Sequence, residues 1–411
     1  MESQSSFKPK IGNVNSTWGQ QRGQPVLILQ NALGLHPSAV ALPASLAMLP
    51  ALCDGSRDVD ALRASLMVRA GVRISPDTLA QIIQQMDEAL LFENGRQAEA
   101  LRLALAAYRQ SDGRPPVSTG ISYPADSESA RAALETYMAL ASPPAELPRP
   151  ANQVRAMVSP HIDYPRGGRV YASVWGPARP AIEEAELIVI MGTDHRGPAG
   201  SVTLTRQSYR TPWGTLKTDD EALAVMLEAL GEEAAFAHEY HHAVEHSVEL
   251  SAVWLHFIAP QAHFSILPII FGSFAEFINS PQTPEQCREV EAAVHALRSL
   301  LSGPRRTILV ASVDLAHIGP AFGGPPAGLL ERGLCRAADE TLLNAICAGD
   351  ALGFLQLLRQ EADRRNVCGA PALYVLLNAL GPAEGLVLDY EQCPADQANT
   401  SFVSIAGALL W

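Results

Sequence analysis

Apolar and polar positions follow two different rules on either side of about residue 115. Beyond Gly120, short apolar runs alternate with stretches of helical period. Residues 154–158, 187–191, 202–205, 263–271, 307–313, 386–390 and 401–408 read as strands. Residues 127–140, 219–230, 249–257, 285–301, 327–358 (broken near Gly349) and 372–380 read as helices. Strands alternating with helices predict an α/β sandwich built on a mixed sheet. Before residue 115 the pattern is mostly helical. A short apolar run at 25–29 precedes a short helix at 43–49 that Pro50 should end. A helix at 59–70 closes on Gly71, and a third starts at Ser75-Pro76 with Leu79, Ile82, Ile83, Met86 and Leu90 on one face. Leu90-Leu91-Phe92 reads as an exit strand. Residues 1–24 are polar and aperiodic and read as a flexible tail. Asp112-Gly113 and Pro115-Pro116 mark a linker at 111–119. The expected organisation is a tail (1–24), a small domain (25–110), a linker (111–119) and a large domain (120–411).

Three of the large domain's strands end alike. Residues 154–158 run into Ser159-Pro160-His161, 187–191 into Gly192-Thr193-Asp194-His195, and 307–313 into Asp314 and His317. Ligands in open α/β sheets bind beyond the carboxyl ends of strands, so neighbouring strands of this kind would pool their polar ends in one pocket. Imidazole is a common transition-metal ligand. Cys368, in Asn-Val-Cys-Gly-Ala-Pro, precedes a helix start, where a thiol tends toward thiolate, a soft metal ligand and a nucleophile. The remaining local cluster is His242-Ala-Val-Glu245-His246. Its His-x-x-Glu-His spacing would suit a zinc peptidase if it lay inside one helix, but Ser247 places His246 at a helix start instead.

Charge and cysteine usage narrow the function classes. The net charge is −13, and the first 110 residues hold 10 Lys/Arg and 9 Asp/Glu, so the acidity lies in the large domain. No basic cluster exists for nucleic acid. No apolar run approaches the roughly 20 residues needed to cross a bilayer, and no signal-peptide pattern opens the chain. The six cysteines form no Cys-x-x-Cys pair, which fits reduced thiols in a cytoplasmic protein.

The large domain also resembles the Memo family, the group called AmmeMemoRadiSam system protein B. The likeness runs in order through GISYPADSESARAALE, SPHIDYPRGG, MGTDH, YRTPWGTLKTD, EHSVEL, ILPIIFG, SVDLAHIG, NVCGAPALYVLLNAL and VSIAGALL. It implies a fold similar to class III extradiol dioxygenases of the LigB type. It carries the metal ligands onto His161, His195 and Cys368, and the catalytic pocket groups onto Asp314, His317, Glu245 and His246. Asp163 departs from the family's usual Gly. The small domain is, on this reading, an addition to the family plan; it resembles PqqD-type winged-helix peptide-binding domains.

Two histidines with a carboxylate suit iron, and two with a thiolate suit copper or iron, so the cofactor is iron or copper according to whether Asp314 or Cys368 reaches the metal, with zinc as a third choice. The first expectation is a metal-dependent oxidoreductase acting on a small-molecule or peptide-borne substrate, for which the resemblance supports the pocket and not the reaction. The alternative is a non-catalytic protein that recognises a peptide or a partner enzyme of a radical-SAM-linked system.

Overall fold

The computed structural model describes residues 7–411 apart from 143, 145 and 262. The chain forms two compact units, residues 1–110 and 111–411.

The first unit opens with a three-stranded antiparallel sheet of β1 (Val14–Gln21), β2 (Gln24–Asn31) and β3 (Val40–Pro43). Four helices follow: α1 (Leu49–Leu52), α2 (Val59–Ala70), α3 (Pro76–Glu88) and α4 (Gly95–Gln110). The tail expected over 1–24 is therefore corrected at β1, which pairs with β2 along its whole length. This edge strand shows no apolar alternation because most of its residues face solvent. Its signal was the two-residue turn Arg22-Gly23, both at positive φ, which joins it to β2. Pro50 lies in the first turn of α1 rather than ending a helix, a place where its missing N–H costs nothing. Leu90-Leu91-Phe92 is no strand; Phe92 makes only an isolated bridge to Ile11. Three strands precede the helices, so the order differs from the expected strand, three helices, strand. Leu29, Leu42, Leu49, Leu62, Leu66, Leu79 and Met86 form the core. Asp58 and Ser75 cap α2 and α3 through side-chain oxygens, and Gly71 closes α2 in the left-handed conformation.

The second unit is an α/β sandwich. In chain order its first half runs α5 (Ser127–Leu140), β4 (Ala156–Ser159), α6 (Tyr164–Glu183), β5 (Leu187–Thr193), β6 (Val202–Leu204), β7 (Tyr209–Thr211), β8 (Gly214–Leu216), α7 (Asp220–Leu230), α8 (Glu232–Phe236), α9 (His241–Val244) and α10 (Ser247–Ile258). The second half runs β9 (Ser265–Phe271), α11 (Ala275–Ile278), α12 (Arg288–Ser302), β10 (Thr307–Ser312), β11 (His317–Ile318), α13 (Leu329–Cys347), α14 (Ala351–Gln360), α15 (Ala370–Leu380), β12 (Gly385–Pro394) and β13 (Phe402–Leu410). The eight-stranded sheet has the order β11-β13-β4-β10-β5-β9-β6, with β12 paired to β13. Strands β4, β10, β5 and β9 are parallel neighbours, while β13 and β6 run antiparallel to β4 and β9.

The central strands read as continuous apolar runs because both faces are covered. Leu187, Val189, Met191, Leu309 and Ala311 pack under α7, α12, α14 and α15. Ile188, Ile190, Ile308 and Val310 pack on the other face under α6 and α10, beside Trp175 and Trp254.

One expectation needs correction here, and one helix had no counterpart among the expected elements. The segment 111–119 is not a linker. Arg114 is 0% exposed and ion-paired with Glu249 on α10, so this stretch belongs to the second unit. Helix α6 was not visible in the sequence because Gly167, Gly168, Gly176, Pro177 and Pro180 all lie within it. Packing overrides those propensities: a Cβ at Gly168 would sit 2.6 Å from the Tyr137 ring, so the glycine lets α5 and α6 approach closely. Asp163 caps α6, accepting from the Arg166 N–H at 3.2 Å and pairing with its guanidinium. The carboxylate that departs from the family pattern starts a helix.

Candidate metal centre

The parallel order β4-β10-β5 makes the three strand-end segments neighbours, and their polar residues meet beyond the carboxyl edge. The register aligns Ser312 of β10 with Ser159 of β4, and Ala311 with Met191 of β5. The chain leaves β4 into His161, β10 into Asp314 and β5 into His195. The fourth contributor, Cys368, comes from the turn before α15. Gly369 permits this: a Cβ there would fall 2.6 Å from Val313 Cβ and 2.7 Å from the Asp314 carbonyl oxygen. The N–H of Gly369 bonds that same carbonyl at 3.2 Å.

His161, His195 and Cys368 each offer a ligand atom within 4.8 Å of the other two. A four-coordinate ion with bonds of about 2.0–2.3 Å needs ligand atoms roughly 3.3–3.8 Å apart, so the trio fits a transition metal after small side-chain movements. The outer edges of the imidazoles are fixed. His161 Nδ1 lies 2.9 Å from the Ser312 carbonyl oxygen, which turns Nε2 toward Cys368 Sγ at 3.3 Å. His195 Nδ1 lies 3.0 and 3.1 Å from the two oxygens of Glu245, leaving Nε2 for the centre. An anchored Nδ1–H that presents an unprotonated Nε2 is the usual support for a metal-bound histidine.

Glu245 is 1% exposed and accepts at short range from three backbone groups: His195 N–H at 3.3 Å, His246 N–H at 2.8 Å and Ser247 N–H at 3.0 Å. Burial disfavours its charge, yet His195 and His246 hold the carboxyl well below its ordinary range. The packing around His195 opposes protonation, but Glu245 and Cys368 reverse that and hold the imidazole well above its usual value. Burial likewise pushes the Cys368 thiol up, and His161 and then His195 outweigh it, bringing the thiol down to about 7. His161 itself is lowered by burial, which Cys368 offsets in part.

The other expected residues fall around this trio. The Asp314 carboxylate accepts the N–H groups of His161 and Ile162 at 2.8 and 3.2 Å, and its far oxygen is 3.8 Å from His161 Nε2. Burial raises its pKa above the ordinary range. The His246 ring stacks on His195 with centroids 5.2 Å apart and meets the His161 ring edge-on at 5.3 Å. It is the most open of the three, with 40% of its side chain exposed. His317 opens β11, its Nδ1 3.2 Å from the Leu315 and Asn366 carbonyl oxygens and its ring against Phe322. Burial lowers its pKa and the Asp314 charge opposes that.

His242 is excluded from the centre, so the zinc-peptidase spacing fails. Helix α9 ends at Val244, before Glu245. Both ring nitrogens of His242 are taken, by the Tyr209 hydroxyl at 2.7 Å and the Thr203 carbonyl oxygen at 3.0 Å. Burial drives its pKa down to about 4. Sequence reasoning missed Arg114, Glu249 and Tyr209, which support this loop. Glu249 had a signal as the last acid of Glu-His-Ser-Val-Glu, and Tyr209 as the first residue of the stretch Tyr-Arg-Thr-Pro-Trp-Gly.

Comparison with known proteins bears on this arrangement. The family profile described as Memo-like protein matches residues 114–409. The chain belongs to the Memo family. A MEMO1 family protein of Aquifex aeolicus is 24% identical over 397 residues, covering 93% of this chain and 96% of its own length. Another, of Thermus thermophilus, is 27% identical over 335 residues, covering 81% and 93%. A third, of Methanopyrus kandleri, is 27% identical over 286 residues, covering 67% and 91%. The Aquifex match reaches well into residues 1–110. The Aquifex alignment therefore covers much of the first unit, which lies outside the matched Memo-like region. Among the described residues, no helix is long and apolar enough to cross a membrane.

Proposed function

We propose that His161, His195 and Cys368 hold one redox-active metal ion, iron or copper, and that the protein is a metal-dependent oxidoreductase with a dioxygenase-like site, acting on a small or peptide-borne substrate. The observation that carries this reading is the pair of anchored imidazoles facing the Cys368 thiol, with one ligand atom of each residue within 4.8 Å of the other two. Imidazole and thiolate together select copper, iron or zinc over hard cations. When bound, such an ion supplies Lewis-acid activation and one-electron exchange.

The chain's own residues do the rest. Glu245 and the Ser312 carbonyl accept from the Nδ1–H groups and leave Nε2 of each ring facing the centre. Asp314 fixes the backbone of His161 from below. His246, at the open side, and His317, beside Asp314, are the groups placed to take or return a substrate proton at a ring nitrogen.

The test is metal analysis of anaerobically purified protein beside oxygen-uptake assays with candidate catechols. About one iron or copper per chain is expected, and its loss in both His161→Ala and Cys368→Ser. Unchanged metal content in both variants would sink the proposal. Stoichiometric zinc with no oxygen uptake would remove the redox assignment.

A further inference from the structure

Arg114 lies in a stretch whose glycines and prolines look like a spacer, yet it is completely buried. Its guanidinium grips three partners. Nε donates to the His242 carbonyl oxygen at 2.8 Å, one terminal nitrogen donates to the Glu245 carbonyl oxygen, and the other pairs with the Glu249 carboxylate. Glu249 is itself fully engaged, accepting from Val117 N–H at 2.8 Å, Ser118 N–H at 2.9 Å and the Tyr123 hydroxyl at 2.6 Å. The guanidinium lies 5.0 Å from the Tyr209 ring, and the Tyr209 hydroxyl holds His242. Its backbone is sewn to the β7 region through Arg114 N–H to Ser208 O at 2.7 Å and Arg210 N–H to Arg114 O at 3.1 Å.

The two gripped carbonyls belong to the end of α9, a single helical turn. A helix end leaves its last carbonyls without partners inside the helix. The chain turns out of the helix at Glu245, with φ −88 and ψ 135. The direction it takes there decides where the Glu245 carboxylate lies, and that carboxylate holds His195 Nδ1. A buried ion pair is weak grounds for stability by itself, because apolar partners of similar volume often serve as well. A planar fork reaching three separate acceptors is a property that lysine lacks.

We propose that Arg114 is a positioning residue of the metal centre. It fixes the carbonyls of His242 and Glu245 against the Glu249 anchor, sets the Glu245 carboxylate on His195 Nδ1, and so aims His195 Nε2 at the shared ion. The inference rests on the metal-centre reading above and goes beyond it by assigning the aiming of one ligand to a residue that touches neither ligand nor ion.

The test uses the full chain and Co(II) as probe, titrated anaerobically and followed by its visible bands and its thiolate charge-transfer absorption. Removing Arg114 alone strands a buried carboxylate, so two other variants are used. Arg114→Lys keeps the charge without the fork. The double variant Arg114→Met/Glu249→Met replaces both charges with apolar side chains. Both are expected to bind Co(II) about 10–100-fold more weakly than wild type, the range seen when groups behind metal ligands are removed. They are also expected to lose the hydrogen-bonded His195 Nδ1–H proton resonance in the metal-free protein. Leu297→Ala, a cavity in α12 on the sheet's other face, should lower the melting temperature and leave Co(II) affinity unchanged. Wild-type affinity together with an unaltered His195 resonance in a folded Arg114 variant overturns the proposal. If the wild-type chain takes up no Co(II), the metal-centre reading fails instead, and the His195 resonance decides the clamp alone.

Discussion

Cys368 differs from the other cysteines in its electrical surroundings. Burial drives Cys53, Cys335 and Cys393 to about 12 and Cys347 to about 11, and it also raises Cys287. Cys368 is half-buried, like Cys287 and Cys347, but it faces two imidazoles and falls to about 7. A thiol is charged above its pKa, so the rate of alkylation at Cys368 should rise as pH passes through 7 and level off about one pH unit higher. Iodoacetamide at pH 7.5, read by peptide mass spectrometry, should label Cys368 first, and bound metal should protect it. A midpoint near that of a free thiol, or even labelling of all six, would contradict the assignment.

At this scale the sequence was informative where position carried meaning. His161 and His195 end apolar strands, and Cys368 precedes a helix with Pro371 in its first turn. The roles of Glu245 and His242 could not be separated by spacing alone, because that required knowing that α9 stops at Val244. Arg114 was illegible. A single arginine between Gly113 and Pro115 has no periodicity, and the three groups its guanidinium grips are more than a hundred residues away.

Elements bring their own constraints. Helix α15 reaches the centre only because Gly369 has no side chain. Gly369→Ala would drive a methyl into Val313 and the Asp314 carbonyl. It should displace Cys368 and weaken Co(II) uptake at least tenfold, by anaerobic titration, with little change in helix content. Binding equal to wild type would mean that this turn yields without moving the thiol.

Helix α7 offers a pH test away from the site. Asp219 caps it by accepting from Ala222 N–H at 2.7 Å, and also pairs with Arg305. Burial would raise this acid, but Arg305 and Ser265 outweigh it and bring it to about 2 from an ordinary 3.8. An acid with a depressed folded-state value contributes its full stabilisation above its unfolded value and loses it as pH falls through the folded one. Urea midpoints should therefore drop between about pH 4 and pH 2 in wild type. Asp219→Asn keeps a capping oxygen without the charge, so it should start lower at pH 7 and fall less steeply in that window; parallel curves would refute the assignment. Most of the large unit's strands and helices were legible from periodicity, and their ends shifted by a few residues. Helix α6 was not, because Gly168 and Gly176 serve contacts with α5 and not local helix propensity.

For the whole molecule, the consequence of α/β alternation was readable and the boundary was not. Pro115-Pro116 looks like a joint, whereas the compact unit begins at Ser111 and depends on Arg114. A chain shortened to residues 111–411 should fold and bind Co(II). One shortened to residues 120–411 should bind it weakly and melt at a lower temperature, by circular dichroism and titration. Equal behaviour of the two would return residues 111–119 to the role of a spacer.

The sheet order sets how late in synthesis the sheet can close. Strand β13 lies against β4, the first strand of the same sheet, and all nine of its residues are buried. On the ribosome, β4 must wait with one side unpaired while some 240 further residues emerge, as the separation of Val158 and Phe402 shows. Contacts of such long range form slowly, and an open strand edge invites pairing with other chains. Nascent chains halted before β13 should therefore be dependent on holding chaperones, even though His161, His195 and Cys368 have all been made. Metal offered during translation would meet all three proposed ligands before the sheet that aligns them has closed.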